Sequence, residues 1–150
     1  MYKAILMGFL ALGMSCTYRM GRALPTDPSL VMGNIQAAHS IQGAEQIISS
    51  AFARELVRRS GSGEERLVEL QLLFLEDRPT ASASRQSRIR MALVLAAGTG
   101  NKIEVAGSRV YAGSAEAIEN SLRRDQALDS LTTELVQEGL PQLFMIPQDR

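Results

Sequence analysis

The chain has one cysteine and one histidine among 150 residues, no tryptophan, and only 5% aromatic residues. A single cysteine excludes an internal disulfide framework. A single histidine excludes most His-based metal sites and makes a nucleophile–base triad hard to assemble. An excess of either charge is also missing, since sixteen basic side chains balance sixteen acidic ones. That balance argues against a generic nucleic-acid binder and leaves room only for a local basic patch. With 45% hydrophobic and 21% charged residues, neither a disordered chain nor a polytopic membrane protein is favoured. The length suits one domain with its own hydrophobic core.

The N-terminal stretch carries the strongest local signal. Met1-Tyr2-Lys3 is a short, positively charged start, and residues 4–14 carry no charge. That run has the length of the apolar core of a secretory signal. It falls well short of the roughly 20 apolar residues that a permanent membrane-spanning helix needs. Gly13-Met14-Ser15-Cys16 follows, with a small residue directly before the cysteine, and resembles the lipobox cut by bacterial lipoprotein signal peptidase. Gly13 and Met14 depart from the usual Leu and small or β-branched residue, with Leu10 and Leu12 close by. The expectation is a signal peptide over 1–15 and acylation of Cys16. The thiol and the new α-amine of one cysteine together accept several acyl chains, which anchor stably where one chain is marginal. Thr17 follows the cysteine in place of the Asp that tends to retain such proteins in the inner membrane. A lipid anchor on the periplasmic side of the outer membrane is therefore expected.

Beyond the cysteine, residues 16–29, with Gly21, Pro25 and Pro28, read as an irregular lipidated tether. Residues 30–35 are a plausible first strand, weakened by Gly33. From Ile41, Ala44, Ile48, Ala51, Phe52 and Leu56 recur at helical spacing. Ser40 is placed to cap that helix, and Ser60-Gly61-Ser62-Gly63 to end it. Over 66–76, Val68, Leu70, Leu72 and Phe74 alternate with Glu69, Gln71 and Leu73, the period of a half-buried strand. Residues 77–84 read as a loop. Residues 85–97 alternate again, with Ile89, Met91, Leu93 and Leu95 against Arg88, Arg90, Ala92 and Val94. The turn at 97–101 then leads into a strand through Ile103, Val105, Val110 and Tyr111, making a hairpin in which Gly107 would mark a bulge. Residues 113–123 are ambiguous, and Leu128 to Phe144 trace a second amphipathic helix that Pro141 would kink or shorten. The expected fold is an α+β two-layer sandwich over 30–146, with a short tail at 147–150. Its mixed four-stranded sheet carries two helices on one face, in the order strand, helix, three strands, helix. Clean alternation in the central strands leaves the other face uncovered.

No catalytic constellation has usable spacing, so the chain is expected not to be an enzyme and to need no cofactor or metal. His39 stands alone as a helix-flanking residue. Glu64-Glu65 and Glu76-Asp77 more often solubilise turns than transfer protons. Gly98-Thr99-Gly100 lacks the residues of a phosphate loop. The feature to weigh is Arg85, Arg88 and Arg90 in or beside one strand, with Arg88 and Arg90 on the same outward face. Guanidinium groups so close repel unless an acid or a ligand compensates, and each can grip phosphate with two hydrogen bonds. The plainer reading is a solvated face paired with Glu69 and Glu104 across the strands. Arg58-Arg59 and Arg123-Arg124, near helix ends, are weaker candidates, and the helix dipole alone accounts for the first pair.

Three stretches resemble the LptE-like lipopolysaccharide-assembly lipoproteins: Cys16-Thr17-Tyr18-Arg19-Met20-Gly21 with Leu24-Pro25, then 51–59, then Gln126-Ala127-Leu128-Asp129-Ser130-Leu131 with Glu134-Leu135. Thr17 stands where that family commonly has Gly, and Gly33-Asn34-Ile35-Gln36 lacks the usual Pro and aromatic residues. The resemblance implies an α/β domain that plugs and helps assemble an outer-membrane β-barrel of the LptD type, with lipopolysaccharide (LPS) as the cargo. It offers no aligned motif for LPS contacts, so Arg88, Arg90 and Arg85 are proposed as phosphate contacts by charge alone. Two alternatives stay open beside it: an auxiliary lipoprotein of an ABC-type lipid transporter, and a non-catalytic structural lipoprotein of the envelope. A hydrolase using serine and an acid would need a pocket of converging polar groups.

Overall fold

The structure, a computed structural model, describes residues 27–37, 43–80, 85–98 and 100–145. Six elements follow one another: β1 (Ser29–Ala37), α1 (Ala44–Arg59), β2 (Glu65–Pro79), β3 (Gln86–Ala97), β4 (Lys102–Ala112) and α2 (Ala117–Met145). The sheet runs in sequence order, with β1 parallel to β2 and the other pairs antiparallel. The parallel pair follows from α1, which carries the chain back along the sheet. The antiparallel pairs follow from short reversals such as the one at Gly100, whose φ of 91° suits a residue without a Cβ. This is the α+β sandwich the alternation predicts.

Both helices lie on one face. Ile48, Phe52 and Leu56 of α1 and Leu128, Leu131, Leu135, Val136, Leu140 and Leu143 of α2 bury against Val68, Leu70, Leu72, Ile89, Met91, Leu93, Leu95 and Val105 of the sheet. Each fully buried side chain of this size is worth about 1.5–3 kcal/mol. Packing, more than helix propensity, therefore holds both helices in place. Glu55 is buried within this layer at 3% exposure, and its carboxylate accepts from Gln137 Nε2 at 3.0 Å.

Several local expectations are corrected. The second strand does not stop at Glu76: Asp77, Arg78 and Pro79 belong to it, paired with Ile89, Arg88 and Ser87. The β2–β3 register shifts between Leu72 and Phe74, so Leu73 is an extra residue and the alternation changes phase there. Phe74 consequently faces away from the core, 39% exposed, while Leu75 packs against it. Gly107 marks no bulge, because the β3–β4 register is unbroken from Gln86 to Ala96. It is a point of close approach instead: a Cβ there would lie 3.1 Å from Leu135 Cδ2 and 3.2 Å from Leu131 Cδ1. The irregularity that glycine does accompany is in β1, between Met32 and Ile35, where a Cβ on Gly33 would meet Glu69 at 2.8 Å.

The helix ends also differ in detail. α1 begins at Ala44 after Gly43, which has φ 84° and gives no side-chain cap; Ser40 and Ile41 lie outside the described residues. The ambiguous stretch 113–123 is helical from Ala117, and Pro141 does not end α2, which runs on to Met145. Ser60 closes α1 as expected, and its Oγ accepts from the Leu30 N–H at 2.9 Å, tying the helix end to β1.

Candidate functional site

The face of the sheet that no described element covers carries the charge cluster. Strand alternation points Arg88 and Arg90 of β3 away from Ile89 and Met91, which are buried. The phase change at Leu73 sends Glu76 and Arg78 of β2 to the same face, directly opposite Arg90 and Arg88. Arg78 thus completes a cluster that the sequence reading confined to β3. Its signal was hidden because residues 77–84 read as loop.

Among the described residues one carboxylate serves this cluster. Glu76 lies 2.6 Å from Arg78 Nη2 and 3.7 Å from Arg90 Nη1. Arg88 has neither a carboxylate nor a side-chain hydrogen-bond partner among the described residues, and its cross-strand neighbours are Arg78 and Val110. Like charges set directly opposite across a pair of strands are destabilising. Glu69 and Glu104 do not compensate, since they face Ala96 and Val94 several residues further along. The plain reading of a fully paired solvated face therefore does not hold at Arg88. Arg85 does not join the cluster: it precedes β3, falls out of phase with Arg88 and Arg90, and its carbonyl accepts from the Gly113 N–H at 2.5 Å.

The rest of this face is less charged. Phe74, Ala92 and Ala106 form a row next to the arginines, with Phe74 and Ala106 exposed and Ala92 buried between them. Beyond them Asn34, Gln36, Glu69, Gln71, Val94 and Lys102 line a shallow polar depression of about 170 Å³. Exposed arginines beside a small apolar strip can hold an anionic group with an attached apolar one.

Arg54, Arg109, Arg123 and Arg124 are each paired with an acid. Arg54 spans from α1 to Asp129 and Thr133 of α2 at 3.0 and 3.1 Å, and Arg109 reaches Glu134 at 2.9 Å. Arg58 and Arg59 sit in the last turn of α1, where the dipole favours cations. Arg123 pairs with Glu119 at 2.5 Å and Arg124 with Asp125 at 2.9 Å, both inside α2. Glu119 also accepts from the Ser114 hydroxyl, and that bond, followed by Arg123, holds its carboxyl below the ordinary value.

At the same end of the sandwich but on the helix-covered side, Tyr111 donates to Asp77 Oδ2 at 2.8 Å. Burial, and then this bond to a carboxylate, push the Tyr111 phenol above its ordinary value of 10.0. The second oxygen of Asp77, Oδ1, is buried without a partner. It borders a narrow void lined by Ala44, Leu75, Ile89, Arg124 and Leu128. This is a buried polar seam that fixes the β2–β4 end of the sandwich. Cys16 and His39 lie outside the described residues. Among the described residues no group of three or more His, Cys, Asp or Glu could hold a metal, and no helix is long and apolar enough to cross a membrane.

No protein-family model matches the sequence, and no curated protein matches it. Solved structures do share the fold. A protein from Caulobacter crescentus CB15 described as a lipoprotein superposes with a TM-score of 0.56 at 13% identity, over 73% of this chain and 86% of that one. A Xanthomonas campestris protein of the DUF330 family superposes with a TM-score of 0.50 at 13% identity, over 81% and 93%. Rare lipoprotein B from Shewanella oneidensis reaches 0.47 at 9% identity, over 76% and 94%, a level that supports no inference. At such identities the likeness establishes the fold alone.

Proposed function

We propose that the chain is an envelope lipoprotein, acylated at Cys16 and held on the periplasmic side of the outer membrane. There it acts without catalysis, as plug and assembly partner of an LptD-like β-barrel in the transport of LPS to the surface. The observation that carries this reading is the uncovered sheet face, on which Arg78, Arg88 and Arg90 share the single carboxylate of Glu76. A phosphate group of LPS seated there would supply the missing negative charge and accept from guanidinium groups in the geometry they favour. Phe74 and Ala106, exposed on either side of the buried Ala92, offer apolar contact to the lipid beside it. The lipobox-like Gly13-Met14-Ser15-Cys16 and the fold held in common with the Caulobacter protein support the anchored form.

The reading is tested by fractionating cells that carry the wild-type chain or Cys16→Ala. The wild type is expected in outer-membrane fractions together with a heat-modifiable barrel, and the variant in the soluble fraction. Recovery with an inner-membrane ATPase complex would replace this reading with that of a transporter's auxiliary lipoprotein. Depletion that leaves surface LPS unchanged would reduce it to a structural envelope lipoprotein.

A further inference from the structure

The two edges of the sheet are treated differently. At the β1 edge, the register breaks between Met32 and Ile35, and the outward N–H of Leu30 is taken by Ser60 Oγ. Bulges, prolines, charged side chains and local caps are the usual means of blocking an edge against further strands. The β4 edge has no bulge and no proline, and its register with β3 is continuous. Its charges are Lys102 and Glu104 near one end and Arg109, which is turned to Glu134 of α2.

Which backbone groups of β4 are free follows from the hydrogen bonds at its two ends. Ala97 N–H donates to the Asn101 carbonyl at 2.9 Å, and Gly113 N–H donates to the Arg85 carbonyl at 2.5 Å. Hydrogen-bonded pairs alternate along an antiparallel ladder, so the odd-numbered residues of β4 spend their backbone groups on β3. Lys102, Glu104, Ala106, Ser108, Val110 and Ala112 turn theirs outward, and all six are exposed. Among the described residues only Ala112 has an outward group engaged, its carbonyl accepting from Arg123 at 3.3 Å. The rest form an open row of alternating donors and acceptors, which an extended backbone fits.

We infer that the β4 edge pairs with the β4 edge of a second copy of this chain, antiparallel about a two-fold axis at Gly107. That alignment sets Ala106 against the partner's Ser108, Glu104 against the partner's Val110 and Lys102 against the partner's Ala112. On the helix-covered side, Ile103 meets the partner's Tyr111, and Val105 the partner's Arg109. No like charges stand opposite each other, and the Ile–Tyr contact joins a β-branched to an aromatic residue, a favourable cross-strand pair. Small residues, Ala106, Gly107 and Ser108, occupy the axis, where two copies come closest. Four facing pairs formed by residues 104, 106, 108 and 110 would exchange about eight hydrogen bonds and join the two sheets into one. The interface is isologous and closes at two copies. It does not depend on the function proposed above.

The test is light scattering of the full chain purified in detergent, beside Ser108→Pro and Ala106→Pro. Each proline removes an outward N–H that makes no bond within the chain, so the melting temperature should stay within a few degrees. The wild type should show twice the mass of a single polypeptide and both variants the mass of one. Hydrogen exchange should show the amides of 104, 106, 108 and 110 protected in the wild type and exchanging at least tenfold faster in the folded variants. A monomeric wild type, or a dimer that persists with either proline, overturns the inference. Should one variant fail to fold, the other and the wild-type exchange pattern still decide.

Discussion

Gly139 sits in the C-terminal third of α2, over the sheet, and its replacement by alanine has a sign that the structure decides. Helix propensity favours alanine over glycine in a helix interior by about 1 kcal/mol. Opposing this, a Cβ at 139 would lie 2.6 Å from Leu95 Cδ1 and 3.2 Å from Val105 Cγ1. Leu95 is fully buried among α2 and the strands, so its methyl group has little room to swing away. Overpacking of this kind costs about 1–3 kcal/mol. The net expectation for Gly139→Ala is a loss of roughly 0–2 kcal/mol. Leu95→Ala removes the obstructing atoms and itself costs about 2–5 kcal/mol through the cavity it leaves. In that background the Gly139→Ala methyl group enters vacated space, adding about 0.8 kcal/mol of burial to the propensity gain. The same substitution should then stabilise by about 1–2 kcal/mol. Urea melts of the four proteins in this double-mutant cycle measure the coupling. A Gly139→Ala that stabilises both backgrounds would show that the close approach of α2 to β3 is not what requires glycine.

Tyr111→Phe removes the hydrogen bond to Asp77 and leaves a carboxylate with no protein donor, so a loss of about 1–3 kcal/mol is expected at neutral pH. Because the folded phenol titrates above its ordinary 10.0, its contribution is complete below pH 10 and is lost as pH rises through the folded value. The gap between wild type and variant should narrow in alkaline urea melts, and a constant gap would rule out this linkage. Arg88→Glu turns the Arg78–Arg88 pair into opposite charges, which should raise stability by about 0.2–1 kcal/mol. The same change should weaken binding to LPS vesicles by about tenfold, since a charged hydrogen bond is worth about 1.5–3 kcal/mol. Equal binding by both proteins would remove Arg88 from the site. Gln137→Ala removes a hydrogen bond from the buried Glu55 carboxylate, which keeps Arg58 at 3.7 Å, and should cost about 0.5–1.5 kcal/mol, falling below about 0.5 in a Glu55→Leu background; thermal melts of the three variants and the wild type report the difference.

The order of elements and the face each helix buries are legible in the sequence because both rest on periodicity. Ile48, Phe52 and Leu56 recur at helical steps, and Ile89, Met91, Leu93 and Leu95 at steps of two, and all are buried together. The outward direction of Arg88 and Arg90 is legible for the same reason. Close approach between distant segments is not: Gly107 and Gly139 are small because of Leu131, Leu135 and Leu95, none of them near in sequence. Partners across strands are equally hidden. Alternation offers Glu69 and Glu104 as acids for the arginines and leaves Glu76 at a strand end, and only the register selects Glu76.

The register in turn depends on one residue. Had β2 kept its phase past Leu72, the even-numbered residues Phe74, Glu76 and Arg78 would face the helices, and Asp77 would stand among Arg88 and Arg90. A slip of one residue moves every side chain of a strand to the other face. That arrangement would bury two ionisable groups in the apolar layer, where each costs several kcal/mol unless paired. The extra residue at Leu73 avoids this: Leu75 rejoins the core and Asp77 meets Tyr111, at the expense of exposing Phe74. The same shift brings Arg78 beside Arg88 with one glutamate to serve three arginines. The uncompensated charge on the open face is thus built by the bulge, and the apolar row beside it exists because the bulge turned Phe74 outward.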